Sequence, residues 1–244
     1  CDVVGSIASV KEEQWNYAIP SFDEEVKTVT LGIDGTCMLM SKDGYRQAMV
    51  GTVGLYNDDG ERLHTIYAAA NPEYGKQTFL SRMENEITRV KGLYPGAEYV
   101  GLADGAKDNW PFLEQHTSVQ IIDFYHASEY IGNAGNAAIR KKDERKEWIG
   151  NQCHALKHNT GAAEKICWEM RDFLDGELSE EKKEKIQSAV TYFNNNSHRM
   201  NYAENIEKNI PIGSGVTEAA CKVIVKQRLC CSGMKWKGCG LNIM

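Results

Sequence analysis

Three β-rich stretches follow one another before any helical period appears, and that order admits few folds. Lys27-Thr28-Val29-Thr30-Leu31-Gly32-Ile33-Asp34-Gly35-Thr36 alternates aliphatic or β-branched residues with small or polar ones. It ends at Asp-Gly, which reads as a strand running into a turn. Gln47 to Tyr56 and Arg62 to Ala69 have strand composition, and Asn57-Asp58-Asp59-Gly60 between them is a hairpin signal. Three adjacent antiparallel strands are expected. From Lys76 to Leu93 the apolar residues Phe79, Leu80, Met83, Ile87 and Val90 recur every three or four positions, as in a helix lying on a sheet, until Pro95-Gly96 ends it. Glu98 to Ala103 is a short buried-strand pattern that stops at a second Asp-Gly, Asp104-Gly105. A short helix over 107–116, a fifth strand over Ser118 to Ile122 and a helix over Asp123 to Arg140 complete a β-β-β-α-β-α-β-α order, an α/β chain.

The character changes at Lys141. Charge density rises, and helices are expected near 143–158, 161–175 and 179–194, the last with Ser179 as N-cap and Glu180 and Glu181 in its first turn. This reads as an all-helical insertion over 141–210. Pro211-Ile212-Gly213-Ser214-Gly215 is then a loop, and Val216 to Leu229 a helix whose expected N-cap is Ser214. The domain reading is a first core part over 27–140, the insertion, and a last core part over 211–244. Residues 1–26 read as the tail of a missing upstream region, and the chain as an internal piece of a longer protein.

Composition narrows the function classes. No apolar run approaches the roughly 18 residues a membrane span needs, and the N-terminus lacks a basic-then-apolar leader pattern. The eight cysteines are irregularly spaced, so reduced cytosolic thiols are expected rather than a disulfide ladder. Cys153, His154, His158 and Cys167 could be written as a zinc site, but their spacing fits no standard finger. A net charge of −6 argues by itself against nucleic acid. Its distribution argues the other way: from Ala219 to Met244 there are five basic residues and no acid. Such a stretch is either a face for phosphates or a solvated helix face.

The chemistry-bearing residues are acids. Asp34 and Asp104 stand at strand ends, where α/β sheets place their ligands, although Asp-Gly is also a common turn dipeptide. Glu218 lies in the first turn of a helix opened by Gly-Ser-Gly, with Lys222 and Lys226 following at i+4 and i+8. Three converging carboxylates repel one another unless hard cations hold them, and oxygen ligands favour Mg²⁺ or Mn²⁺. Two such ions about 3.5 to 4 Å apart suit in-line phosphoryl displacement, so the expected substrates are phosphodiesters. Asp123-Phe124-Tyr125-His126, with Glu129 one turn on, reads either as a structural Asp-His pair or as a group near the acids. Ser214 is not an acyl nucleophile, because Gly213-Ser214-Gly215 falls short of the nucleophile elbow and no strand leads into it.

Taken together, Asp34-Gly35-Thr36, Ala103-Asp104-Gly105, Asp123-Phe124-Tyr125-His126-Ala127 with Glu129, and Pro211-Ile212-Gly213-Ser214-Gly215-Val216-Thr217-Glu218 leading to Lys222, Lys226-Gln227-Arg228 and Gly233-Met234-Lys235-Trp236 resemble a known family. It is the DDE transposases of bacterial insertion sequences, most closely the Kra-four insertion-sequence family. The resemblance spans about residues 27–240 in order. It implies a ribonuclease-H-like mixed sheet flanked by helices, with a helical insertion before the last acidic helix. It implies Asp34, Asp104 and Glu218 as a catalytic triad holding two Mg²⁺ ions, for which Mn²⁺ can substitute, with Asp123 and His126 in support. Transposases of this kind hydrolyse the phosphodiester at transposon ends and use the freed 3′-hydroxyl to attack target DNA. They act as homo-oligomers on DNA, in the bacterial cytoplasm. Lys222, Lys226, Arg228, Lys235, Trp236 and Lys237 are the expected DNA contacts. The alternative is a catalytically silent, transposase-derived DNA-binding protein; a carboxylate-pair glycoside hydrolase is a third reading.

Overall fold

The structure is a computed structural model and describes residues 7, 10, 11, 18–73, 75–237 and 241. Most of the expected tail over 1–26 therefore lies outside the described residues, as do Cys1 and Cys239. The strands are β1 (Thr28–Met40), β2 (Gly44–Tyr56), β3 (Arg62–Ala70), β4 (Glu98–Ala103) and β5 (Val119–Ile122). They form one mixed sheet in the order β3-β2-β1-β4-β5. The helices are α1 (Gln77–Leu93), α2 (Trp110–His116), α3 (Phe124–Ala138), α4 (Lys142–His158), α5 (Ala162–Asp172), α6 (Glu180–Asn196), α7 (Tyr202–Glu207) and α8, which opens at Gly215–Ala220 and runs on through Leu229. No helix among the described residues is long and apolar enough to cross a membrane. The chain divides into two compact units, Cys1–Val119 with Ser214–Met244, and Gln120–Gly213.

In the first unit, β1 is longer than its sequence pattern suggests. Asp34-Gly35 does not end the strand; Asp34 pairs opposite Val50, and the antiparallel ladder with β2 runs from Thr28↔Tyr56 to Met40↔Gly44. The turn comes instead at residues 41–43, closed by Gly44 at φ +67. A partner strand along the whole length outweighs the turn preference of a dipeptide. The β2–β3 hairpin forms where expected, with Asn57 Oδ1 accepting from the Glu61 amide at 2.8 Å.

Alternation along β1 sorts its side chains onto two faces. Val29, Leu31 and Ile33 are fully buried on one. There α1 supplies Phe79 and Met83, which come so near β2 that a Cβ on Gly51 would lie 2.3 Å from the Met83 sulfur. On the other face lie Gly32, Asp34, Met38 and Met40, and α8 covers it. Ala220, Cys221 and Val225 of α8 form one cluster with Met38, Met40, Ala48 and Val50. The sheet is thus flanked by helices on both faces, each chosen by the parity of the strand residues.

The second unit, Gln120–Gly213, is mostly helical and starts before the change of composition at Lys141. The reason is packing: α3 joins the later helices. Tyr130 stacks on Tyr192 of α6 with centroids 3.9 Å apart, and a Cβ on Gly135 would meet Ile149 of α4 at 2.7 Å. Ile131, Ile166, Met170, Ile186 and Phe193 are buried in its core. Ser179 stands at the start of α6, where its carbonyl accepts from Lys182 and Lys183, but its side chain makes no cap hydrogen bond.

Candidate functional site

The two aspartates come to one level of the sheet through strand register. β1 and β4 are parallel, with Thr28 opposite Glu98 and Gly32 opposite Leu102. Asp34 and Asp104 each stand two residues beyond that last pair. Asp34 continues in the strand, half-buried, with Oδ1 accepting from the Gly35 amide at 2.6 Å. Asp104 opens a bend in which its Oδ1 accepts from the Ala106 amide at 3.0 Å and Gly105 takes φ +100. Buried Asn109 ties this loop to β1: its Nδ2 donates to the Ile33 carbonyl, the residue before Asp34, at 3.4 Å. Lys76 holds the loop from α1's start, donating to Asp108 at 2.6 Å and Asn109 at 3.2 Å.

The helix carrying Glu218 is seated on the same sheet face by a close approach. A Cβ on Gly32 would lie 2.0 Å from the Thr217 hydroxyl, and Thr217 shares a buried 2.7 Å hydrogen bond with Thr52. Ser214 occupies the N-cap position, but its hydroxyl donates to Glu218 Oε1 at 2.9 Å instead of closing on a backbone amide. Glu218 is exposed. One turn on, buried Cys221 points its thiol at Asp34 Oδ2, 3.3 Å away. Burial, then the charge of Asp34 and the hydrogen bond to it, hold that thiol well above its ordinary value; Glu218 adds to the effect and Lys226 opposes it. Asp34, Glu218 and Lys226 therefore share one electrostatic neighbourhood centred on Cys221.

The middle of α8, Cys221–Lys226, is a π turn. A straight α-helix at 3.6 residues per turn carries position i+8 about 80° away from i. The wider turn, with i→i+5 bonds, rotates less per residue and takes back part of that drift. Lys222, Lys226 and Arg228 are exposed along α8, and Lys235 and Lys237 are exposed beyond it. Trp236 is half-buried and has structural partners. Its amide donates to the Leu39 carbonyl at 3.2 Å, its carbonyl accepts from Ser41 at 2.8 Å, and its indole N–H donates to the Leu229 carbonyl at 2.7 Å.

As a donor set, Asp34, Asp104 and Glu218 offer only carboxylate oxygens, which fits a hard divalent cation in kind. One oxygen from each does not bring all three within 4.8 Å of one another. Asp123 and His126 belong to the second unit. Asp123 is fully buried and caps α3, its Oδ1 accepting from the His126 amide at 2.8 Å and lying 3.2 Å from His126 Nδ1. Nearby, the Tyr202 hydroxyl donates to the Ile122 carbonyl at 2.9 Å, and burial pushes this phenol up, with Tyr192 and Asp123 adding to the effect. The zinc set does not assemble: no three of Cys153, His154, His158 and Cys167 offer ligand atoms within 4.8 Å of one another. Cys167 turns instead to Asn194 of α6, at 3.4 Å.

Sequence reasoning missed Gly32, Thr52, Thr217 and Cys221. Cys221 carried a readable signal, since it lies three residues after Glu218 on the apolar side of the helix. The threonine pair carried none, because it joins residues 165 positions apart. Comparison with protein-family models and with curated proteins gives no match for this chain.

Proposed function

We propose that the chain is the catalytic part of a DDE transposase of ribonuclease-H-like fold, acting on DNA in the bacterial cytoplasm and assembling as a homo-oligomer there. It would hydrolyse phosphodiesters at transposon ends and join the freed 3′-hydroxyl to target DNA. The observation that carries this reading is the register of β1 on β4, which sets Asp34 and Asp104 equally far past their last pair, on a sheet whose same face receives the Glu218 helix. Asp34, Asp104 and Glu218 would hold two Mg²⁺ or Mn²⁺ ions. When bound, such ions activate a water or 3′-hydroxyl and offset charge on the leaving oxygen. The protein's own residues fix the carboxylates. Gly35 would orient Asp34, Asn109 ties the loop after Asp104 to the Ile33 carbonyl, and Ser214 would steady Glu218. The exposed cations after Glu218 would meet the DNA backbone.

The second reading is a catalytically silent DNA-binding protein that keeps the three carboxylates unused. A Mn²⁺-soaked crystal with anomalous data, paired with Mn²⁺-dependent nicking assays, separates the two. The expected result is metal density on Asp34, Asp104 and Glu218, with nicking that Asp104→Asn abolishes while DNA binding persists. Metal density and DNA binding without nicking support the silent protein. Equal nicking by wild type and Asp104→Asn would sink the transposase reading.

A further inference from the structure

We infer that Cys221 is a positioning residue for Asp34, its S–H and the Gly35 amide each taking one carboxylate oxygen and so fixing the plane in which the remaining lone pairs meet a cation. This rests on the carboxylate-site reading above. Asp34 sits on a strand between Gly32 and Thr36 on its face, and its rotation about the Cα–Cβ bond needs a partner to select one orientation. Two donors supply it: the Gly35 amide on Oδ1 and the Cys221 thiol on Oδ2, at 2.6 and 3.3 Å. Cys221 can serve because its own position is fixed. It is 4% exposed, packs with Met38, Met40 and Val50, and belongs to a helix pinned one turn earlier by Thr217 on Thr52.

The π turn begins at Cys221, where the backbone leaves regular α geometry. Turns of this type recur at functional positions within helices. Through this hydrogen bond Asp34 is tied to the helix that carries Glu218.

The test compares Cys221→Ser, which keeps a donor, with Cys221→Val, which keeps bulk but has none, by calorimetric Mn²⁺ titration of the full chain. Asp34→Asn serves as the control. Removing a ligand's hydrogen-bond partner costs about ten- to a hundredfold in metal affinity. Cys221→Val is therefore expected to bind Mn²⁺ at least about tenfold more weakly, with Cys221→Ser recovering most of the loss. Infrared spectroscopy of the metal-free protein gives an independent readout: the S–H band of Cys221, assigned by its loss in Cys221→Val, is expected to shift in Asp34→Asn. Val binding as tightly as wild type, or an S–H band unmoved in Asp34→Asn, overturns the role. Mn²⁺ affinity unchanged in Asp34→Asn overturns instead the carboxylate site on which it rests.

Discussion

At the residue scale the site depends on what is absent from Gly32 as much as on the acids. A methyl there would meet the Thr217 hydroxyl at 2.0 Å and the Thr52 hydroxyl at 2.7 Å, so the start of α8 would have to lift or the threonine pair break. Gly32→Ala is expected to cost roughly 1–3 kcal/mol in urea unfolding, as overpacked contacts do. Thr217→Ser, which keeps the hydroxyl and removes a methyl, should cost less, and a Gly32→Ala chain as stable as wild type would contradict the close approach. The places of the acids in the fold were legible in part: Asp104 follows its strand and Glu218 lies in the first turn of its helix as expected, whereas Asp34 lies within β1 and not at its end. Gly32 was not legible, because a strand glycine says only that something comes near, and Thr217 lies far along the chain. The same limit applied to Ser214, whose placement at a helix start was readable while its choice of Glu218 over a backbone amide was not.

At the scale of elements, the strands and all the helices but α7 were readable to within a few residues, because each carries its own period; α7, at six residues, is too short to show one. What misled was the end of β1, where local turn chemistry at Asp34-Gly35 was overruled by pairing with β2. The π turn was also invisible, since Cys221 to Lys226 reads as ordinary helix in its spacing. β4, read with the right ends, presents a titratable element of the first unit. Tyr99 is buried, donates to the Tyr94 carbonyl at 3.0 Å, and burial, with a smaller contribution from Tyr94, pushes its phenol from 10.0 up to about 12. The folded state thus favours the neutral phenol. Its contribution is complete below about pH 10 and is lost as pH rises through about 12. Tyr99→Phe should lower stability at neutral pH by about 1 kcal/mol for the lost hydrogen bond and make the alkaline decline shallower. Some decline will persist, because Tyr56 and Tyr202 are also pushed up by burial. An alkaline limb unchanged by the substitution, followed by urea unfolding across that range, would count against the assignment.

At the scale of the whole molecule, the first unit is assembled from two distant stretches of chain, with the Gln120–Gly213 unit between them in sequence. This explains why the helix bearing Glu218 could be located but not its seat: a period identifies a helix, whereas the face it covers depends on contacts closed across that long interval. Charge follows a similar logic. The protein carries a net −6, yet Ala219 to Met244 holds five cations and no acid, so an approaching polyanion is repelled by the average and attracted by one segment. If that segment meets DNA, binding should be steep in salt, and each lost phosphate contact should flatten the slope of log K against log salt by about 0.9. Lys222→Ala removes an exposed cation one helical turn from Glu218 without touching the buried side of α8. Its expected effect is a slope smaller by about 0.9 and a weakening similar across DNA sequences. An unchanged slope would assign Lys222 to solvent and count against this segment as a DNA contact.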